Sequence, residues 1–287
     1  PSSLSILAGL PDACQWTRAQ GERTVYDKIV VPLDGSDTAA RALTTAATLA
    51  AEYESSIAIT AVVSPSFVPS MTENARTQAA AAGIHYPIIN LVVSARSPAV
   101  QLIEALDDEP TSLLCMATTG RSHLGQVLGS VAEEVLRART GPFLLVGPRC
   151  DPGAFQPKGK LIVPVDGSET SLDILPLAAA WSIAYGLEPE VVIHADPNGD
   201  DPQPALDDAV AKLEADVERP VSSLAIQGIN AAEAVVGRAK SSGAALIAMT
   251  THGRTGLPRV VMGSITMDVV HNASCPVLVH RPLRLRT

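Results

Sequence analysis

Residues 249–264 read MTTHGRTGLPRVVMGS and are punctuated by Gly253 and Gly263, with a hydroxyl residue, Ser264, where a helical segment begins. Glycine leaves main-chain N–H groups bare and open to close approach. A helix start adds unpaired N–H groups and the positive end of a dipole. Together these are the means of holding a phosphate. A second version, MATTGRSHLGQVLGS, occupies residues 116–130. Each has a companion Asp-Gly-Ser, at residues 34–36 and 166–168, closing the apolar runs KIVVPL and KLIVPV. Asp34 and Asp166 are read in two ways: as caps of a turn or helix, or as carboxylates accepting hydrogen bonds from a nucleotide's ribose or base. Ser264 has the same double reading. It is an N-cap, or its hydroxyl and the Ile265 N–H hold phosphate or ribose. Among the flanking residues Thr250, Thr251, His252 and Arg254, the arginine is a secondary phosphate candidate. The histidine is a positioned loop residue, since no acid–base partner stands out.

These loops need a scaffold, and the chain supplies one twice. In the first half, strands are expected at 28–33, 56–63, 88–93, 113–117 and 143–146, with helices at 37–54, 71–82, 98–107 and 130–139 between them. The strands are short continuous apolar runs, as in sheets buried on both faces. The second half repeats the order. Its strands are expected at 160–165, 190–195, 222–227, 246–249 and 277–280, its helices at 169–185, 205–217, from Asn230, and 265–272. Pro176 inside the 169–185 segment implies a kink or a shorter first turn. Asn230 and Glu233 form a capping-box pair. Asp34 with Asp166, Gly120 with Gly253, Ser130 with Ser264 and Pro142 with Pro276 recur 132 to 134 residues apart. The expected organisation is an N-terminal extension (1–25), a first domain (26–150), a linker DPGAFQPKG (151–159) and a second domain (160–287). Alternating strands and helices imply right-handed crossovers and a parallel sheet covered on both faces. Ligands in such sheets bind beyond the strands' carboxyl ends, where the strand order reverses.

Composition narrows the function. The chain has 287 residues, 46% hydrophobic and only 3% aromatic, so its cores must be aliphatic. A formal charge of -9 argues against a nucleic-acid surface. The four cysteines, Cys14, Cys115, Cys150 and Cys275, lack paired metal spacing and read as small core residues in a reducing compartment. No apolar run approaches a membrane span. The opening PSSLSILAGLPDAC has no basic segment and is not read as a signal peptide, so a cytoplasmic protein is expected.

With VPVDGS at a strand end, nine residues separating Gly253 from Gly263-Ser264, and a final CPVLVHR strand, the chain resembles the universal stress protein family, as a tandem member. The resemblance covers about residues 26–148 and 160–282. It implies two flavodoxin-like domains of the adenine nucleotide alpha hydrolase-like kind, each a five-stranded parallel sheet with helices on both faces. It also implies ATP as ligand, accompanied by Mg2+, through a Gly-x2-Gly-x9-Gly-Ser/Thr motif. On that resemblance the second-half contacts are Pro164, Val165 and Asp166, then Ile193, His194 or Ala195, then Met249, Thr250, Gly253, Gly263, Ser264 and Ile265, with Arg254 kept beside them as the secondary candidate. The first-half counterparts are Pro32, Leu33 and Asp34, then Val62 and Val63, then Met116, Ala117, Gly120, Gly129, Ser130 and Val131. Two departures stand out. The motif's first glycine is Thr250 in one half and Ala117 in the other, and only eight residues separate Gly120 from Gly129. The second half is therefore expected to be the better nucleotide site. Pairing of the final strands of the two halves within the chain, and a dimer of chains, are also implied.

The expected function is a regulatory ATP-binding stress-response protein in which nucleotide biases conformation or partner binding with little or no hydrolysis. No Gly-x4-Gly-Lys-Ser/Thr loop supplies the lysine and metal-holding hydroxyl of fast NTPases. The competing class is a nucleotide-free scaffold or chaperone-like interaction protein, in which the glycine loops are only connections. An enzyme acting on an activated nucleotide is the third class; the SGGxDS, HIGH, KMSKS and G-x-G-x-x-G signatures are all absent.

Overall fold

The computed structural model describes residues 26–94, 97–107, 112–118, 130–139, 141–196, 199–252 and 262–281. Gly120, Gly129, Gly253, Arg254 and residues 1–25 lie outside them. In the first half, β1 (Lys28–Pro32), β2 (Ser56–Val63), β3 (Ile88–Val93), β4 (Ser112–Ala117) and β5 (Gly141–Val146) alternate with α1 (Asp37–Tyr53), α2 (Val68–Ala81), α3 (Pro98–Asp107) and α4 (Ser130–Ala138). The second half repeats this with β6 (Lys160–Val165), β7 (Glu188–His194), β8 (Ser222–Ile226), β9 (Leu246–Thr250) and β10 (Val277–Arg281). Its helices are α5 (Glu169–Leu172), α6 (Leu175–Tyr185), α7 (Gln203–Val217), α8 (Ala231–Ser242) and α9 (Ser264–Asn272).

All ten strands form one sheet, in the order β3-β2-β1-β4-β5-β10-β9-β6-β7-β8. Within each half the pairs are parallel. The halves join through an antiparallel pair, Val277 opposite Leu145 and Val279 opposite Phe143. Strand period does the sorting of the core. Ile29, Val31, Leu161 and Val163 face a layer with α1, α2, α6 and α7, while Val30 and Ile162 face the layer of α3, α4, α8 and α9. No helix among the described residues is long and apolar enough to cross a membrane.

The one long helix expected at 169–185 is two. α5 ends at Leu172 and α6 restarts at Leu175, with Pro176 in its first turn. Proline cannot donate to the carbonyl four residues back, that of Leu172, and its ring would collide with it. The chain breaks there instead of kinking.

Of the chain's three Phe, four Tyr and two Trp, five meet where the halves join: Tyr26, Tyr53, Phe155, Trp181 and Tyr185. The Trp181 indole N–H donates to the Tyr26 hydroxyl at 3.1 Å, and the Tyr53 hydroxyl donates to the Ala184 carbonyl. Phe155, from the segment between the halves, lies edge-on to Trp181 and Tyr185 at 6.2 and 5.4 Å and is fully buried. Phe155→Leu is expected to cost about 1–2 kcal/mol, through lost edge-to-face pairing and imperfect filling. A urea melt followed by tryptophan emission measures it; an unchanged midpoint would mean that this aromatic joint does not hold the halves together.

Candidate functional site

Both Asp-Gly-Ser corners fold by purely local rules. Gly35 and Gly167 take φ of 87° and 79°, which only glycine adopts freely. Asp34 Oδ1 then accepts the Ser36 N–H, and Asp166 Oδ1 accepts both the N–H of Ser168 (2.9 Å) and its hydroxyl (2.6 Å). The serines in turn cap the next helix, Ser36 Oγ accepting from the Ala39 N–H and Ser168 Oγ from that of Ser171. The capping role is thus filled at both corners. Asp166 is half-buried and Asp34 exposed.

A cleft of about 390 Å³ opens beyond the carboxyl ends of β6, β7 and β9. This is where the strand order reverses, since the chain leaves β6 for β7 on one side and returns to β9 on the other. Its walls bring together Pro164, Val165 and Asp166 from β6 and its corner, Ile193 and His194 from β7, and Met249 and Thr250 from β9. Gly263, Ser264 and Ile265 close it at the start of α9. Ala195 is not part of the lining; its N–H donates to the Ile226 carbonyl. In the first half, Pro32, Leu33, Asp34, Val62, Val63, Met116 and Ala117 occupy the equivalent strand ends, and Ser130 and Val131 begin α4.

The start of α9 differs from the expectation. Ser264 is the first helical residue, and Gly263 is the N-cap, at φ −62 and ψ 154. The Gly263 N–H donates to the Thr251 carbonyl at 2.7 Å, and an added Cβ would stand 3.2 Å from that oxygen. This pins residue 263 in an extended conformation, and the helix begins one residue earlier than expected. Glycine here supplies room rather than a free donor. Having no side chain, it leaves α9 without a side-chain cap. The first main-chain bond of the helix runs from Met267 N–H to Gly263 O, so the N–H groups of Ser264, Ile265 and Thr266 have no intrahelical acceptor. Ser264 and Ile265 are exposed at the cleft.

Other polar groups tie the end of β9 to the start of α9. The Thr250 hydroxyl donates to the His252 carbonyl (2.6 Å), and the Thr266 hydroxyl donates to the Thr250 carbonyl (3.0 Å). The side chain at the position of the motif's first glycine is therefore tucked into its own turn. His252 is buried, with Nδ1 3.0 Å from the Thr251 hydroxyl. His194 Nε2 lies 3.3 Å from the Gly228 carbonyl, bridging β7 to the segment after β8.

Several lining residues escaped the reading of the sequence: Ser171, Asp196, Asp200, Asp201, Ala231 and Thr266. The acidic run DPNGDD at 196–201, directly after a strand end, was the available signal. With Asp166 it makes the β6–β7 side of the cleft acidic, and the described lining includes no Lys or Arg. The unpaired amides of α9 stand on the β9 side. The cleft is thus polarised, with hydrogen-bond acceptors at one end and donors at the other. Among the described residues no reactive thiol adds to this chemistry. Burial pushes Cys150 and Cys275 up to about 12, and Cys115 further up.

Comparison with known proteins follows the same lines. A family model described as "Universal stress protein family" matches residues 25–147 and again 159–281. A universal stress protein of Methanocaldococcus jannaschii is 32% identical over 140 residues, 42% of this chain and 80% of the relative. One from Synechocystis is 30% identical over 159 residues, 54% of this chain and 52% of that protein. Among solved structures, a universal stress protein of Archaeoglobus fulgidus superposes with a TM-score of 0.66 at 19% identity, covering 91% of this chain and 97% of the other. That likeness is one of fold.

Proposed function

The chain belongs to the universal stress protein family, with that family's domain present twice, and from this premise we propose that its second half is an adenine-nucleotide-binding regulatory unit. The single observation carrying the reading is the uncapped start of α9. It presents the N–H groups of Ser264, Ile265 and Thr266 to a cleft whose opposite side is lined by Asp166, Asp196, Asp200 and Asp201. The amide end suits a phosphate. The carboxylate end suits groups that donate hydrogen bonds, such as ribose hydroxyls or the adenine amino group. Ile193 and Met249 supply apolar contact for a base. A volume of about 390 Å³ lies within the range of small-ligand pockets.

Nucleotide acts here as a signal that biases conformation or partner binding in a stress-response, cytoplasmic protein, with little or no hydrolysis. ATP is the proposed ligand, and Mg2+ its companion. Among the described residues no group of three or more His, Cys, Asp or Glu is placed to hold a metal. The ion would therefore take most of its ligands from phosphate oxygens and water. A dimer of chains is part of the same proposal.

Calorimetric titration with ATP, ADP and AMP tests the reading. The decisive variant is Ile265→Glu. Ile265 is 48% exposed, and a carboxylate in the first turn of a helix favours folding. The same charge stands where phosphate would sit. Affinity for ATP is expected to fall tenfold or more, roughly 1.4 kcal/mol, with the melting temperature unchanged or raised. Wild-type protein that takes up no adenine nucleotide at millimolar concentration would end this proposal. A second reading, a nucleotide-free interaction protein, is favoured by the acidic lining alone. Denaturing the purified protein and finding no released nucleotide would support it.

A further inference from the structure

The sheet ends in two edges, β3 and β8, and they are chemically unlike. β8 begins with Ser222 and Ser223 and follows Glu218 and Arg219. β3 reads Ile-Ile-Asn-Leu-Val-Val, and residues 86–94 contain no charged side chain. Tyr86, Ile88 and Val93 are 95%, 42% and 52% exposed, three of the eight large apolar side chains left exposed among the described residues. One side of the β3 backbone pairs with β2 from Ala58–Ile88 to Val63–Val93; the other meets no strand among the described residues. Proteins normally blunt such an edge with lysine, proline or a bulge within the strand. None of these interrupts β3.

We propose that β3 is a self-association edge, pairing antiparallel with β3 of a second copy of this chain about a two-fold axis near Asn90. In that register Ile88 faces Val92 and Ile89 faces Leu91 of the other copy, and no charge meets its like. Two features favour a second copy as the occupant. The strand is apolar on both sides of one central amide, so it complements itself, as a two-fold interface requires. The chain also already contains such a joint, since β5 and β10, the equivalent strands of the two halves, meet antiparallel edge to edge. That joint uses up the final strands and leaves β3 as the apolar edge. The net charge of -9 per chain opposes association at long range, so the dimer strengthens with salt.

Sedimentation equilibrium of the full chain tests this with Asn90→Lys and Asn90→Glu. Asn90 is exposed and lies away from the cleft. Wild type is expected to be dimeric at roughly 10 µM chain, a strength ordinary for an interface of modest area. Each variant alone is expected to dissociate at least about tenfold more readily, because like charges oppose each other across the strand pair. An equimolar mixture of the two is expected to recover the dimer, which a merely structural effect would not produce. A monomeric wild type, variants that remain dimeric, or a mixture that fails to recover would each overturn the assignment. So would a monomer that dimerises only once residues 1–25 are removed, since that segment would then be the occupant.

Discussion

Gly147→Ala is expected to destabilise the protein by about 3 kcal/mol or more, at or beyond the upper end of what overpacking costs. The reason is not backbone conformation, since Gly147 is not among the residues with positive φ. It is space. A Cβ at this position would lie 1.9 Å from the Val270 carbonyl oxygen and 3.1 Å from its carbon, so α9 presses its backbone directly onto the end of β5. A helix backbone cannot yield as a flexible side chain can. The Gly147 carbonyl also accepts from the Arg41 guanidinium at 3.0 Å, and that arginine donates to the Cys150 carbonyl as well. A shift at residue 147 therefore loosens the tie between α1 and the segment joining the halves. Thermal unfolding by circular dichroism reads the effect as a drop of roughly 6–12 °C. Gly237→Ala is the matched control. It lies inside α8, where an added methyl group would meet nothing within 4 Å, and is expected to stabilise by about 0.5–1 kcal/mol. Because α9 also carries Ser264 and Ile265 at its other end, Gly147→Ala is expected to weaken nucleotide binding too. An alanine variant that melts with the wild type would show that α9 does not sit this close.

Removing the guanidinium from Glu190 should cost nearly as much. Glu190 on β7 is 4% exposed, and Arg238 on α8 grips it with two hydrogen bonds, 2.6 and 2.7 Å, while Lys160 on β6 stands at 3.3 Å. Hydrogen bonding from Arg238 holds the carboxyl below its ordinary range, against the opposing effect of burial. Arg238→Met leaves a buried carboxylate with only the lysine, an arrangement expected to lose about 3 kcal/mol at neutral pH. The pH dependence has a definite sign. A carboxyl whose folded value is depressed contributes stability above its unfolded value, about 4.3. That contribution is lost as pH falls through the lower folded value. The gap between wild type and Arg238→Met is therefore widest near neutrality and closes as pH falls through the depressed folded value, below which both carry a protonated Glu190. Urea titrations at several pH values measure it. The double change Arg238→Met with Glu190→Leu should recover most of the loss, since no buried charge remains unpaired. A gap independent of pH would mean that lost packing, not the stranded charge, is responsible.

The sequence by itself determined what is settled within a few residues. The two Asp-Gly-Ser corners close through hydrogen bonds two or three residues apart, so their form is written in the residue types. The Asn230 cap on the Glu233 N–H is equally local. Strand period and repeated order carried the five strands of each half and their parallel sheet, because each apolar run has to be buried on both faces; the order of those strands, and so the reversal point, was implied only by the family resemblance. Only the tertiary structure decided which distant groups meet. The Arg238–Glu190 grip spans 48 residues, and the Arg281 guanidinium reaches the Arg137 carbonyl at 2.8 Å across 144. Asp196, Asp200 and Asp201 reach the cleft because β7 lies beside β6, and the Gly263 N–H is spent on Thr251 because α9 returns so closely to β9. Such contacts depend on how layers pack, where many spacings satisfy the same local preferences. The final choice rests on shape and burial summed over the whole sheet.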